Sequence, residues 1–369
     1  PLDVNDWLSE EEKTSTTEVP LKFSMEDNIF TSSFEIEKYD GIELFKIIFQ
    51  IFHKFELLKT FHITNQVLFN FIDTVRNKCS KTPQHNWNHA VDTLQFVASQ
   101  IIEGKLIENS KIGHFEQLAL FVSSLVHDVD HQWFRDEESN EDSKNDDSDD
   151  DFDFEFEFGQ TSDESQISIP LNILMKKQSL LETHHVEAAI DIITSKPEAN
   201  IFSNLNDQDY DEIWSILIEL ILATDMRKHF KIVQKLKASL NSDNFNPMTD
   251  KNDRLLLMKC LLKTADLSKI VRPFNDSKNC LANWNVSIAE EFFRQADLDE
   301  TQGMVFISSN KDYTHLDKDA SLFGFFNSVC IPLFQVVSVA VPLLKENANT
   351  LKDNIQKWAK KTGRVIPNF

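Results

Sequence analysis

Residues 114–131 read HFEQLALFVSSLVHDVDH. Through Val126 the apolar side chains return at i, i+3, i+4 and i+7, the spacing that gathers them on one face of an α-helix. The helix then runs straight into His127, Asp128, Val129, Asp130 and His131. Titratable groups that directly follow a buried helical segment cost desolvation free energy unless they are paired or bind a metal. This stretch therefore predicts both a helical architecture and the place where chemistry attaches to it.

The same period recurs outward from it, in GIELFKIIFQIFHKF (41–55), HHVEAAIDII (184–193), DEIWSILIELILATDM (211–226), RLLLMKCLLKTADL (254–267) and NVSIAEEFFRQ (285–295). Asp40, Asp211 and Asp253 read as N-caps, and Pro83, Pro170, Pro197, Pro247 and Pro273 punctuate the segments. With 30 Phe and 41% hydrophobic residues but only 7 Gly and 10 Pro, the chain has material for a large core and few tight turns. No strand-turn-strand pattern and no internal repeat stands out. The expectation is an all-α fold: an N-terminal arm over residues 1–39, partly disordered and most so before residue 20, then a single domain over 40–369.

That domain is interrupted by an acidic insertion at about 133–166. Residues 136–164 carry fifteen Asp or Glu against one Lys, so they hold −14 of the formal net charge of −23. Self-repulsion and the lack of aliphatic residues predict disorder there, although DFDFEFEF (151–158) has a strand-like period of two. The acidity argues against nucleic acid as a partner, because there is no basic face to displace counterions. Cys79, Cys260, Cys280 and Cys330 show no C-x-x-C spacing and three lie in apolar segments, which predicts reduced thiols in a cytoplasmic protein. The opening residues carry no signal-peptide pattern. The apolar run IPLFQVVSVAVPLL, fourteen residues with two prolines, is short of the roughly twenty needed to span a bilayer and reads as a core helix rather than a membrane insertion.

Five clusters repeat the chemistry of the opening stretch. His85 and His89 in QHNWNHAVD lie one helical turn apart, with Asp92 about one more turn along. HDVDH offers His127, Asp128 and His131; ETHH offers Glu182, His184 and His185; ATDM offers Thr224 and Asp225, with His229 beyond; KTADLS places Asp266 at the end of a strongly apolar helix. Any one of these can be a cap or a solvated group. Together they supply imidazole and carboxylate without thiolate, a donor set that suits zinc plus a harder ion such as magnesium or manganese. Two metals about 3.5–4 Å apart can clamp the attacking and leaving oxygens of an in-line displacement at phosphorus, so a phosphate ester is the expected substrate class.

In order and spacing, HNWNHAVD, HDVDH, ETHH, ATDM-x-x-H, ADLS, EEFFRQAD and SLFGFFNSVCIPLF make the chain resemble the class I cyclic nucleotide phosphodiesterases over roughly residues 40–345, most of all their fungal high-affinity cAMP-hydrolysing members. The resemblance implies a compact multi-helix catalytic domain with a binuclear metal site in a deep cleft. It implies that His89, His127, Asp128 and Asp266 bind zinc, with Asp128 bridging to magnesium or manganese. His85 becomes the general acid that protonates the O3′ leaving group, while His131, Glu182, His185, Thr224 and Asp225 orient the water network and Asp92 supports the histidine face. Phe325 becomes the lid over the purine, with Ile288, Phe292, Met226, Leu267 and Leu322 around the base.

The departures fall on the base rather than on the phosphate chemistry. Leu322 stands where most of the family has a glutamine, and leucine neither donates nor accepts. Lys269, Gln84, Gln132 and Trp133 replace a frequent asparagine, tyrosine, glycine and proline. The expected reaction is hydrolysis of 3′,5′-cyclic AMP to 5′-AMP, with cGMP the lesser substrate. The alternatives are a dual or cGMP enzyme, another metal phosphohydrolase of the H…HD…D type, and a non-catalytic nucleotide sensor.

Overall fold

The computed structural model describes residues 3–23, 27–80, 85–131, 180–242, 244–272 and 325–363. Among them are ten α-helices of ten or more residues: α1 (Ile42–Lys54), α2 (Asn65–Lys78), α3 (Trp87–Glu103), α4 (His114–Val126), α5 (Leu180–Thr194), α6 (Asp207–Leu222), α7 (His229–Asn241), α8 (Lys251–Asp266), α9 (Ile331–Ala340) and α10 (Lys345–Thr362). The only β-type pairing among the described residues is an isolated bridge between Ser80 and Asn86. The fold is all-α. The acidic insertion, the helix expected at 285–295, and Gln84, Cys280, Ile288, Phe292 and Leu322 lie outside the described residues.

α3 occupies the centre, because every residue from His89 to Ile101 is buried. A helix covered all round needs neighbours on every side, and α3 packs against α1, α4 and α8. Phenylalanines fill the layers: Phe52 and Phe55 of the α1 end both meet Phe121 of α4, at ring centroid distances of 5.8 and 5.0 Å. α3 closes at Gly104, where a β-carbon would come within 2.7 Å of the Gln100 carbonyl.

Helix starts differ from the sequence expectation where a better cap lies upstream. Asn206, not Asp211, caps α6, its side chain accepting from Asp209 N at 2.9 Å. Asp250, not Asp253, caps α8, and Asp253 instead accepts from Asn246 N at 2.8 Å. α1 follows Gly41, whose φ of 49° replaces a side-chain cap from Asp40.

The first residues also differ from the expected disorder. Residues 3–23 form short helical turns that dock on α1 and α2: Leu8 and Phe23 are buried, and Phe23 stacks on Phe49 with centroids 4.4 Å apart. Buried Asn65 holds the arm, donating to the carbonyls of Glu12 (2.9 Å) and Glu18 (3.3 Å) while accepting from His53 Nε2 (2.7 Å). Two apolar anchors among many charged residues leave no period in the sequence, yet they suffice once a side-chain amide satisfies the backbone.

The apolar run near the C-terminus breaks at Val341, with α9 before it and a 3₁₀ turn, Pro342–Leu344, after it. No described helix is long and apolar enough to cross a membrane. Among the described cysteines, Cys79, Cys260 and Cys330 are free thiols.

Candidate metal centre

Three helix ends converge on one point. Asn86 caps α3 by accepting from His89 N at 3.0 Å, which sets His89 in the first helical turn. α4 ends at His127, whose Nδ1 donates to Ser124 O at 3.0 Å and so leaves Nε2 as the free lone pair. Asp128 follows immediately, and Asp266 is the last residue of α8. Both carboxylates therefore sit at carbonyl-bearing helix ends, where the macrodipole disfavours an anion and favours a cation.

His89 Nε2 stands 3.1 Å from Asp266 Oδ1 and 3.3 Å from Asp128 Oδ2, and His127 Nε2 stands 3.1 Å from Asp128 Oδ2 and 3.5 Å from Asp266 Oδ1. Donors bonded to one zinc at 2.0–2.1 Å lie about 3.3 Å apart around it, so these separations fit a single ion. His127 Nε2 is fully buried yet makes no well-formed hydrogen bond, as expected of a ligand atom. The four residues form a group able to hold a metal, and His85, Asp128 and His131 form a second group that shares Asp128.

The electrostatics agree. Burial works against the charged form of His127, but Asp128 and Asp266 outweigh it and raise its pKa well above the usual imidazole value. Burial pushes the Asp128 carboxyl up, while His127 and His85 outweigh it and hold it well below the carboxylate range. Two partly buried carboxylates thus depend on neighbouring positive charge, which a divalent ion supplies more strongly than protons do.

His85 lies at the rim, its Nε2 3.8 Å from Asp128 Oδ2. Its ring stacks on His131 at 3.9 Å between centroids, and His131 stacks in turn on His185 at 5.5 Å. His185 Nδ1 donates to Val129 O at 2.8 Å, and His184 Nε2 lies 3.1 Å from both Asp130 O and Asp130 Oδ2. Burial, with His85 adding to it, pushes His131 down to about 3, and burial pushes His185 down to about 4, so both are neutral imidazoles near pH 7.

Other expected residues stand further back. Thr224 and Asp225 follow α6: the Thr224 hydroxyl donates to Ile221 O at 2.7 Å, and the Asp225 carboxylate accepts from Arg227 N at 2.8 Å. Glu182 lies on α5 one turn before His185. Leu267 is buried, while Met226 and Phe325 are partly buried against the core, Phe325 just ahead of a π-helical turn, Phe326–Cys330. Asp92 makes its bonds beyond the histidines. Its carboxylate turns to Ser268 Oγ (2.7 Å) and to Arg272, because two donors lie on that side of α3.

Sequence reasoning passed over Lys263. One turn before Asp266 and buried, it donates to Ala223 O (2.8 Å), Thr224 O (3.4 Å) and Asp225 O (3.5 Å), closing the carbonyl end of α6. Burial lowers its pKa, opposed by Asp266, Asp225 and Glu182, so it binds these groups together electrostatically. The available signal was a lysine inside the apolar run LLLMKCLLKTAD, since buried lysine is rare unless paired.

A profile of the 3′5′-cyclic nucleotide phosphodiesterases matches residues 84–137 and 162–351. The chain is 27% identical over 329 residues to the 3′,5′-cyclic-nucleotide phosphodiesterase regA of Dictyostelium discoideum, covering 88% of this chain and 37% of that protein. It is 26% identical over 314 residues to the human high affinity cGMP-specific 3′,5′-cyclic phosphodiesterase 9A, covering 85% and 47%. This chain thus spans less than half the length of these relatives, and cAMP-specific enzymes are also among the matches. In three dimensions it is similar to the phosphodiesterase domain of the RhoPDE fusion protein from the choanoflagellate Salpingoeca rosetta, with a TM-score of 0.67, 23% identity, and coverage of 90% and 95%.

Proposed function

The chain belongs to the 3′5′-cyclic nucleotide phosphodiesterase family, and from that premise we propose that it hydrolyses 3′,5′-cyclic AMP to 5′-AMP. The observation that carries the reading is the convergence of His89, His127, Asp128 and Asp266 on one point, with His85 3.8 Å from Asp128 at its rim. Zinc at those four residues and magnesium or manganese beside Asp128 would supply Lewis acidity and a water of lowered pKa.

The chain's own residues do the rest. His85, about one quarter exposed, faces the space in front of the carboxylates. From there it delivers a proton to O3′ as the P–O3′ bond breaks, the role suited to an imidazole near neutral pH. His131 and His185, neutral by burial, form the stack that fixes the plane of the His85 ring. Lys263 holds Thr224 and Asp225 in register with Asp266, and Glu182 extends that polar wall.

For the base, the family resemblance assigns the apolar side chains of Phe325, Met226, Leu267, Ile288, Phe292 and Leu322. Support for adenine is the resemblance of the sequence motifs to those of fungal cAMP enzymes and the presence of Leu322, because guanine carries more polar groups on its pairing edge and would desolvate more of them against leucine.

The test is hydrolysis of cAMP and cGMP by the purified chain, with chelator and after metal restoration. The expected result is metal-dependent formation of 5′-AMP, faster than 5′-GMP at low substrate. His85→Ala should lower kcat by about 10²–10⁴-fold with metal still bound. A preference for cGMP overturns the base assignment, release of inorganic phosphate overturns the diesterase, and unchanged turnover removes His85 from its role.

A further inference from the structure

Asp266 is the last residue of α8, at a point where a helix frays unless something holds the chain beyond it. What holds it is a buried polar layer that contains none of the four candidate ligands. Both carboxylate oxygens of Asp92 are used: Oδ2 accepts from Ser268 Oγ at 2.7 Å, two residues past Asp266, and Oδ1 accepts from Arg272 Nη2. Arg272 also donates to Gln95 Oε1 (2.6 Å) and Ser32 O (2.9 Å), and its guanidinium lies 4.8 Å from the centroid of the Phe96 ring. From the other side Asn354 of α10 donates to Ile270 O (2.9 Å) and Arg272 O (2.8 Å).

The layer reaches the N-terminal segment as well. Gln95 donates to Ile29 O (2.6 Å) and Thr31 O (3.0 Å). The 3₁₀ turn Ser268–Val271 is thereby tied to α3, to α10 and to residues 29–32.

Stability does not account for this arrangement. The Asp92 and Arg272 side chains are 1% and 6% exposed, and a buried ion pair is commonly no better for stability than a well-packed apolar pair of the same volume. Geometry does. His89 and Asp92 lie one turn apart on the same side of α3, and Asp266 and Ser268 lie two residues apart beyond α8. The Asp92–Ser268 and Asp92–Arg272 bonds therefore fix the distance between the same two elements that must bring His89 Nε2 and Asp266 Oδ1 to 3.1 Å.

We propose that Asp92, Ser268 and Arg272 are positioning residues that set Asp266 against His89 and so determine the affinity of the four-residue site for a divalent cation. The inference rests on the reading of that group as a cation site. None of the three touches the cation. They act through the turn.

The experiment is competition of Zn²⁺ between the chelator-stripped full chain and a chromophoric chelator, beside urea denaturation of each variant. Ser268→Ala and Asp92→Asn are expected to weaken Zn²⁺ binding by about 10–100-fold, the usual cost of losing a group that orients a ligand. Ser268→Thr, which keeps a hydroxyl, should recover most of it. Leu236→Ala, buried in α7, should lower the urea midpoint without moving Zn²⁺ affinity.

If Ser268→Ala binds Zn²⁺ as tightly as the native chain, or weakens it no more than Leu236→Ala does, the proposal is overturned. Ser268→Ala removes a single hydroxyl and keeps the test alive should Asp92→Asn fail to fold. If His89→Ala leaves Zn²⁺ affinity unchanged, the cation-site reading fails instead, independently of the Asp92 variants.

Discussion

His53 shows how one partly buried side chain makes the N-terminal arm sensitive to acid. Burial lowers its pKa from 6.5, opposed by the bond to Asn65, the residue that holds the arm. Below pH 6.5 the unfolded chain then binds more protons than the folded one, so stability falls as pH drops from 6.5 toward the lowered folded value and levels off beneath it. His53→Gln, which keeps a donor toward Asn65, should flatten the decline of the urea midpoint between neutral pH and about pH 5 relative to the native chain. An equal slope in both proteins would remove His53 from the effect. The same contrast explains what was legible residue by residue. His89, His127, Asp128 and Asp266 were found because histidine and aspartate at the ends of apolar runs are conspicuous. Lys263 left a fainter mark, a lysine within an apolar run, and Arg272, one basic residue among 37, has none until its neighbours are known.

At the scale of the element, periodicity located helices and misjudged their ends. The apolar period of HFEQLALFVSSLV gave the bounds of α4, His114–Val126. For α6 and α8 it marked only the buried face, and the polar first turns, capped by Asn206 and Asp250, lay ahead of it. Caps matter here because each sets a chemical group. Asn86 fixes the first turn of α3 and with it His89. Asn86→Ala should cost about 1 kcal/mol in urea denaturation and Asn86→Ser should recover most of it, since serine caps comparably. No loss in the alanine variant would show that contacts within the core, not the cap, hold that end of α3.

Across the whole molecule, the long connection between α4 and α5 enters and leaves beside the site. His131 is the last described residue before it and Leu180 the first after it. The family profile has no counterpart for residues 138–161. Deleting those 24 of the 48 residues between His131 and Leu180 should leave the urea midpoint nearly unchanged, because a strongly acidic composition without aliphatic residues offers little apolar surface to bury. Turnover of cyclic nucleotide by the shortened chain should stay within about threefold of native, because the family profile runs without these residues. A folded but inactive deletion would show that the acidic segment contributes to the reaction.

The close spacing of the two strands of chain at this junction has a practical meaning. Asp130 and His184, one on each side, are joined by contacts of 3.1 Å, so the two sides of the junction meet next to the stacked imidazoles of His131 and His185. A foreign domain whose own termini lie near each other could be spliced there without stretching the host. Any rearrangement of the guest would then press first on His131 and His185, and the rate of hydrolysis would report it.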